Sequence, residues 1–191
     1  MTRPGGRSAR VRDAVHDAVI ELLAAGEIDA AVPKIAERAG VNPTSVYRRW
    51  GSRDNLLLDA AVTRLRSTSP IPDTGALRGD LLGWAEGVER AMRDPRGQIL
   101  LRALVATLGP AEKPLEYLQA RGEDLQAALD RAAARGEEVP SVDEVLDFVL
   151  APLYLRVLFR RPVEPGTGAR LVERLLTALP AGPAPNAGRG G

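Results

Sequence analysis

The most informative stretch of this chain is nine residues long: Asn42-Pro43-Thr44-Ser45-Val46-Tyr47-Arg48-Arg49-Trp50. In a helix, where successive residues turn by about 100°, Val46 and Trp50 fall close together on one side. The other side and its flanks carry the hydroxyl, phenol and guanidinium groups of Thr44, Ser45, Tyr47, Arg48 and Arg49. The stretch therefore predicts a short helix that buries one side and presents a polar, basic side to a partner such as DNA.

Another short helix is predicted just before this stretch, over residues 34–39. Its alanines, Ala36 and Ala39, are small enough to let a second helix cross closely. Gly40 fits the turn between the helices, because the residue that ends a helix often has a positive φ. Pro43 fits the first turn of the next helix, where a missing N–H does no harm. The spacing predicts two helices that cross at a tight turn.

A third helix is predicted to begin at Arg53, after Ser52, whose hydroxyl can accept a backbone hydrogen bond. Two crossing helices of which the second is polar and basic are typical of a helix-turn-helix that reads the major groove of DNA. The alternative is a solvated basic helix with an aromatic anchor, since short motifs give false positives. The turn before the stretch and the cap after it favour the DNA-binding interpretation.

The segment from Val11 to Val62 resembles the N-terminal domain of TetR/AcrR-type transcriptional regulators. The resemblance is carried by residues 35–41, Ile-Ala-Glu-Arg-Ala-Gly-Val, and residues 47–57, Tyr-Arg-Arg-Trp-Gly-Ser-Arg-Asp-Asn-Leu-Leu. It implies that Thr44 and Ser45 lie near base edges and that Tyr47 and Arg49 contact phosphates. It also implies that Arg53, where the family usually has lysine, reaches the phosphate backbone.

Arg48 is the variable basic residue on the groove side, and because a guanidinium can donate two hydrogen bonds to guanine we assign it a guanine contact. The chain departs from the family pattern at two positions. Ala31 stands where many members have a threonine that caps the next helix and touches a phosphate, although Pro33 can partly substitute by fixing the first turn. Trp50 replaces the more usual phenylalanine.

The 191 residues include no cysteine and a single histidine, His16. These counts exclude disulfides, thiolate metal sites and cysteine nucleophiles, and no metal or cofactor is predicted. Asp143, Glu144 and Asp147 form an acidic face, but carboxylates are favoured in the first turn of a solvated helix, so no catalytic set emerges. We expect His16 to be a packing or surface residue, and we predict that the protein is not an enzyme.

No apolar run reaches the roughly 20 residues that cross a bilayer, and no hydrophobic signal core follows the basic N-terminus. A cytoplasmic protein without membrane contact is expected. Residues 1–66 carry 11 basic and 8 acidic side chains, whereas the remaining residues carry 15 and 17. Within this mildly cationic part, Arg3, Arg7, Arg10 and Arg12 form a basic arm. The arm could add phosphate or minor-groove contacts, or be a solubilising tail.

An all-α fold of about nine helices is predicted, because no strand periodicity appears. A three-helix head over residues 9–67 would bind DNA, and its last helix would lead into a helical body over residues 75–179 that binds a ligand and dimerises. Residues 1–8 and the tail of residues 180–191, rich in proline, alanine and glycine, are expected to be disordered.

Two helices of the body carry apolar strips, which the resemblance places around a small-molecule pocket. The predicted lining residues offer apolar bulk and few polar groups; they are Trp84, Val88, Met92, Leu100, Leu104 and Thr107. The alternative for any one of them is an ordinary core position, since such strips are usually core.

The helix predicted over residues 142–159 is apolar nearly all round, so a body of this size can cover only part of it, and further apolar residues follow in the next helix. The resemblance implies that a second copy covers the rest in a four-helix bundle. The residues assigned to this dimer interface are Val149, Leu153, Val157, Leu171, Leu175 and Leu179. Pro152 is expected to kink the first of the two helices. The alternative is a helix buried within its own chain.

Two heads on a two-fold dimer can enter successive major grooves only at a fixed spacing, so a palindromic operator is expected. The favoured hypothesis is a homodimeric repressor that a small, mostly apolar effector releases from this operator. The rival hypothesis is a constitutive or architectural DNA-binding dimer with no effector pocket. Thermal melting against apolar metabolites separates the two.

Overall fold

The computed structural model describes residues 5–106 and 116–178, and within these ranges every regular element is helical. The elements are α1 (Gly5–Ala24), α2 (Val32–Arg38), α3 (Pro43–Trp50), α4 (Arg53–Thr68), α5 (Leu77–Arg93), α6 (Pro95–Ala106), α7 (Glu116–Ala134), α8 (Val142–Val145), a π-helical turn (Leu146–Leu150), α9 (Ala151–Leu158) and α10 (Thr167–Ala178). Since α8, the π turn and α9 form one continuous helix, the described ranges hold nine helices. The predicted all-α architecture is confirmed.

The first helix begins earlier than predicted. α1 starts at Gly5 instead of Ala9, so residues 5–8, which were expected to be a disordered arm, are helical. Residues 1–4 and 180–191, the other segments expected to be disordered, lie outside the described residues. α1 ends at Ala24, and Gly26 in the turn that follows has a φ of +83°, a conformation that glycine adopts at little cost.

The chain divides into two compact units. The first comprises the described residues of Met1–Thr68 and Ala91–Tyr117, and the second those of Ser69–Arg90 and Leu118–Gly191. α6, which falls within the body predicted over residues 75–179, packs on α1 and α4 and is part of the first unit. The apolar pattern of α6 reveals which of its sides is buried but not which helices cover it.

The first unit is built on close helix crossings. α2 packs on both α1 and α3, and Ala36 of α2 is completely buried, as expected for a small residue at a crossing. Gly40 has a φ of +66° in the turn between α2 and α3. At the start of α6, Gly97 is required for another reason, because a Cβ atom there would lie 1.9 Å from the carbonyl oxygen of Ala91.

The second unit holds several buried polar groups that join its helices. The Glu89 carboxylate accepts hydrogen bonds from the backbone N–H groups of Gly166 (3.0 Å) and Gly168 (2.8 Å), and thereby caps the start of α10. Arg121 of α7 is 1% exposed and donates to the carbonyl oxygen of Ser69, the residue that directly follows α4. These bonds fix the segments that flank α5.

The continuous helix of residues 142–158 contains the π turn just before Pro152. Pro152 has no N–H to donate to the carbonyl four residues earlier, and its ring crowds that carbonyl. The ladder widens ahead of it, so that the Ala151 N–H donates to the carbonyl of Leu146, five residues back. The distortion that the sequence predicted at Pro152 is therefore a π turn. Of the helices described, none is both long enough and apolar enough to cross a bilayer.

Candidate nucleic-acid interface

α3 separates its two sides as the sequence predicts. Val46 is 1% exposed and Trp50 is 8% exposed, and both pack within the first unit. On the other side, Thr44, Tyr47, Arg48 and Arg49 are exposed and Ser45 is half-buried. Four of the five residues proposed on α3 to meet DNA are thus exposed to solvent. The helix buries apolar groups on one side and offers donors and cations on the other.

Both ends of α3 are fixed by local hydrogen bonds. The Asn42 side chain accepts from the Thr44 N–H at 2.8 Å and caps the helix, a role that the sequence analysis missed although asparagine is among the best N-cap residues. After α3, Gly51 has a φ of +73° and Ser52 Oγ accepts from the Asn55 N–H at 3.2 Å. The predicted Ser52 cap is confirmed. α3 is therefore a defined eight-residue rod.

The start of α2 lacks a side-chain cap. Ala31 is the N-cap residue and makes no such hydrogen bond, as expected from its missing hydroxyl. Pro33 lies in the first turn, where its fixed φ suits the helix. The threonine contact to phosphate that many family members make has no equivalent at this position.

Arg49 lies between α3 and the beginning of α1. Its Nη1 donates to Ser8 Oγ at 2.9 Å, and its guanidinium carbon is 5.3 Å from the centre of the Trp50 ring. The ring attracts the cation through its quadrupole and limits where the guanidinium can go. Arg49 is thus exposed yet oriented, with its charge next to the helical segment that contains Ser8.

Arg53, predicted to reach the phosphate backbone, also makes contacts within its own unit. Its Nε donates to the carbonyl oxygen of Ala30 at 3.0 Å, and its Nη2 donates to the carbonyl of Ile28. Nη1 lies 3.5 Å from a carboxylate oxygen of Asp54. The side chain therefore joins the start of α4 to the turn between α1 and α2, and only its remaining N–H donors are available to a phosphate.

A partly buried polar cluster behind α3 was not anticipated. Trp50 Nε1 donates to Asp59 Oδ2 at 2.7 Å, and His16 Nε2 lies 3.0 Å from the same oxygen. An ionised carboxylate can only accept, so His16 Nε2 also donates. The cluster joins α1, α3 and α4 through one oxygen atom. Trp50 was the feature of the sequence that could have indicated this cluster. Its indole N–H needs a hydrogen-bond partner when buried, whereas the phenylalanine usual at this position has no such group.

These contacts change the acidity of Asp59. The hydrogen bond from His16 is the largest cause that lowers the pKa of Asp59 below 3.8, and the bond from Trp50 acts in the same direction, while partial burial opposes them. His16 itself is 6% exposed, which agrees with its predicted role in packing. The ionised carboxylate is the form that holds the cluster together.

The residues predicted to line a ligand pocket are core residues of their units. Trp84 and Val88 lie in the second unit, whereas Met92, Leu100 and Leu104 lie in the first, and none is more than 2% exposed. Thr107 lies outside the described residues. Trp84 differs from the others because its Nε1–H is buried without a hydrogen-bond partner among the described residues. Such a donor is costly to leave unsatisfied.

Most of the residues assigned to the dimer interface face the interior of their own unit. Val149, Leu153, Val157 and Leu175 are at most 2% exposed, Leu171 is half-buried, and Leu179 lies outside the described residues. The assignment of these four buried residues is wrong in this structure. The helix is apolar on more than one side, so its sequence could not reveal which side its own chain covers.

The uncovered side of that helix is apolar too. Phe148 is 52% exposed, Leu155 is 49% exposed and Phe159, which directly follows α9, is 72% exposed. The half-buried Pro152 lies between them in the series i, i+4, i+7 and i+11. We call these four residues the C-terminal apolar stripe. It is the exposed surface that the sequence analysis expected, carried by other residues.

Comparisons with known proteins agree with this geometry. Residues 16–60 match the model of bacterial regulatory proteins of the tetR family, and residues 71–175 match a tetracyclin repressor-like C-terminal domain. The HTH-type transcriptional regulator AqdR of Rhodococcus erythropolis is 34% identical over 144 residues, which span 73% of this chain and 70% of AqdR. The DNA-binding transcriptional repressor TetR of Mycobacteroides abscessus is 28% identical over 156 residues, covering 78% and 82% of the two chains.

The fold is also shared with solved structures. A TetR family transcription regulator from Marinobacter aquaeolei superposes with a TM-score of 0.54 at 22% identity, over 89% of this chain and 94% of that one. At this identity the likeness concerns the fold alone.

Proposed function

This chain belongs to the TetR family of DNA-binding transcriptional regulators, and we propose that it is a homodimeric repressor released from a palindromic operator by a small, mostly apolar effector. The observation that carries the DNA-binding part is α3, which buries Val46 and Trp50 and exposes hydroxyl, phenol and guanidinium groups. A relative named as a repressor supports repression rather than activation.

On this proposal the exposed side of α3 enters the major groove. Thr44 and Ser45 lie at its N-terminal end, where reading helices meet base edges, and Arg48 donates two hydrogen bonds to a guanine. Tyr47 and Arg49 flank them and bind phosphates, with Arg49 held in place by Ser8 and by the Trp50 ring. The base contacts would determine which DNA sequence is bound, and the phosphate contacts would fix the position of α3 along the duplex.

Arg53 has a composite role in this proposal. Three of its contacts hold the turn between α1 and α2 and the neighbouring Asp54. A guanidinium has five N–H donors, so those left over can still meet a phosphate. Replacing Arg53 would therefore weaken DNA binding in two ways, through the lost charge and through a less fixed turn.

The dimer is proposed to form through the C-terminal apolar stripe. Phe148, Leu155 and Phe159 expose large apolar groups on one side of one helix, which is unusual for a monomer in water. The neighbouring α10 adds the half-buried Leu171 and Leu176. A second copy related by a two-fold axis presents the same stripe, and pairing the stripes removes both from water.

A two-fold dimer of this kind places two copies of α3 on one face of a duplex. If the reading helices lie about 34–36 Å apart, both enter successive major grooves, and the operator is a palindrome of two half-sites. An effector that binds better to a body conformation with another spacing lowers operator affinity by that difference in binding free energy.

The effector is proposed to be mostly apolar with one hydrogen-bond acceptor. Trp84 supports this, because its completely buried indole N–H has no described partner and would be satisfied by a single acceptor atom. Val88 lies one helical turn further along α5 and would supply apolar contact. Melting the protein against apolar metabolites tests this part, since a ligand of the native state raises the melting temperature and a constitutive dimer shows no shift.

The DNA-binding proposal is tested by selecting duplexes from a random pool and measuring their affinity by fluorescence anisotropy at several salt concentrations. The selected sites should be palindromic. Tyr47→Ala should weaken binding to all duplexes about equally, while Arg48→Ala should change the preferred base at one position of each half-site and cost about 1–3 kcal/mol there.

Two outcomes would overturn the assignment of α3. One is wild-type affinity that does not depend on salt, because phosphate contacts release counterions and must make it do so. The other is unchanged binding in both variants. Glu86→Ala, a change of an exposed residue on α5, serves as the control and should leave affinity unaltered.

A further inference from the structure

The first unit contains a groove that neither the DNA-binding side of α3 nor the predicted effector residues use. Its volume is about 440 Å³. Four helices line it: α1 provides one wall, and α2, α4 and α6 each contribute an arginine. The lining residues are Asp17, Ile20, Glu21, Ala24, Arg38, Arg64 and Arg96.

The charges in this groove are not balanced. Arg38 Nη1 lies 3.2 Å from Glu21 Oε2, so these two charges compensate each other. The guanidinium groups of Arg64 and Arg96 have no hydrogen bond or ion pair with any residue in the ranges 5–106 and 116–178. Against them stands one unpaired carboxylate, that of Asp17, so the groove retains a net positive charge.

We propose that this groove binds a small organic anion, a carboxylate or a phosphate ester, that also carries hydroxyl or amine donors. Arg64 and Arg96 would hold the anionic group, because guanidinium groups bind carboxylate and phosphate with paired hydrogen bonds. Asp17 would accept from a donor on the ligand. Ile20 and Ala24 supply an apolar patch on the same wall.

The dimensions and the surroundings fit such a ligand. Small-molecule sites usually have volumes of about 300–1,000 Å³, and the groove lies within that range. Its two free guanidinium groups come from different helices, α4 and α6, and a third arginine comes from α2. One anion that bridges them would favour the arrangement of these helices in which the guanidinium groups converge. A ligand bound at this site would therefore act directly on the conformation of the DNA-binding unit.

Isothermal titration calorimetry of the full chain without DNA tests the proposal. The probes are citrate, glucose 6-phosphate and inorganic phosphate, each at matched ionic strength against sodium chloride. Citrate or glucose 6-phosphate should bind saturably at one site per chain and about tenfold tighter than phosphate, which has no carbon skeleton to contact Ile20 and Ala24. Because no DNA is present, this result is independent of the proposed repressor function.

Two matched double variants decide where binding occurs. Arg64→Gln with Arg96→Gln should weaken it at least about tenfold, since both ligands of the anionic group are lost. Arg90→Gln with Arg161→Gln removes the same charge from exposed positions outside the groove and should leave it unchanged. Circular dichroism checks that both fold, and single Arg64→Lys provides a milder change if the first does not.

The proposal is overturned if none of the three probes binds saturably, or if both double variants weaken binding equally, which would indicate a general effect of charge. Asp17→Asn adds a further discriminating result. It removes a negative charge that repels both anions and, for glucose 6-phosphate, also weakens the acceptor for the hydroxyl groups, so it should lower the affinity for glucose 6-phosphate relative to that for phosphate. Equal effects on the two probes would contradict the assigned role of Asp17.

Discussion

The hydrogen bond between Trp50 and Asp59 connects the reading helix to the rest of its unit, and its contribution can be measured. A hydrogen bond to a charged group contributes about 1.5–3 kcal/mol. The Asp59 side chain is 42% exposed, so water can partly replace a lost partner. We therefore expect this hydrogen bond to contribute about 1 kcal/mol to the free energy of unfolding. Trp50→Phe removes the donor, and Asp59→Ala removes the acceptor.

A double-mutant cycle isolates this bond from the packing that Trp50 also provides. Thermal unfolding of the wild type, both single variants and the double variant is followed by circular dichroism at one protein concentration. The coupling energy should be about 1 kcal/mol, equivalent to a shift of about 2–4 °C in Tm for a chain of this size. As a control, Tyr47→Phe combined with Asp59→Ala should be additive, because the exposed Tyr47 hydroxyl makes no bond to Asp59.

The pH dependence of the cycle has a definite sign. The pKa of Asp59 is lowered in the folded state, so the stabilisation from its ionised form is fully present above the ordinary value of 3.8 and is lost as the pH falls through the folded value. The coupling should therefore persist at neutral pH and shrink below about pH 4. A coupling under about 0.3 kcal/mol at neutral pH, the level of independent sites, would refute the reasoning.

Three further predictions concern other parts of the chain. Phe159→Asp should convert a dimer into monomers in light scattering, whereas Ile28→Asp, at a 61% exposed position of the first unit, should not; a dimer in both cases contradicts the proposed stripe. Gly97→Ala should destabilise the protein by several kcal/mol because its Cβ would overlap a carbonyl oxygen, while Gly122→Ala, with a nearest neighbour at 3.6 Å, should gain about 0.5–1 kcal/mol in thermal unfolding. Asn42→Ala should cost about 1 kcal/mol through the lost cap and weaken DNA binding, and unchanged affinity would show that α3 does not need it.

The helix-turn-helix could be predicted in detail because its signals are local. The burial of Val46 and Trp50 follows from helical spacing, and the positive φ of Gly40 and the cap at Ser52 follow from the chemistry of single residues. Each of these depends on neighbours within a few positions along the chain. Asn42 was missed although its signal is equally local.

Other features depend on which helices meet. Arg53 was predicted to reach a phosphate, and tertiary structure also brings the carbonyls of Ile28 and Ala30 within its reach, which the sequence did not indicate. In the sequence, nothing distinguishes Asp59 from other acidic residues. The fold places His16 and Trp50 against the same oxygen atom of its carboxylate. The pattern of residues within a single helix does not predict that side chains from three helices contact one another.

The all-α fold, the division of α3 into an apolar side and a polar, basic side, and an uncovered apolar surface on the C-terminal helices were all predictable from the order of residues. The packing of α6 with α1 and α4, and the exposure of Phe148, Leu155 and Phe159 while Val149 and Leu153 are buried, depend on how the helices meet. The physical reason is that apolar burial has no direction of its own. A helix with two apolar sides can satisfy either, and the packing of the other helices determines which one its own chain covers.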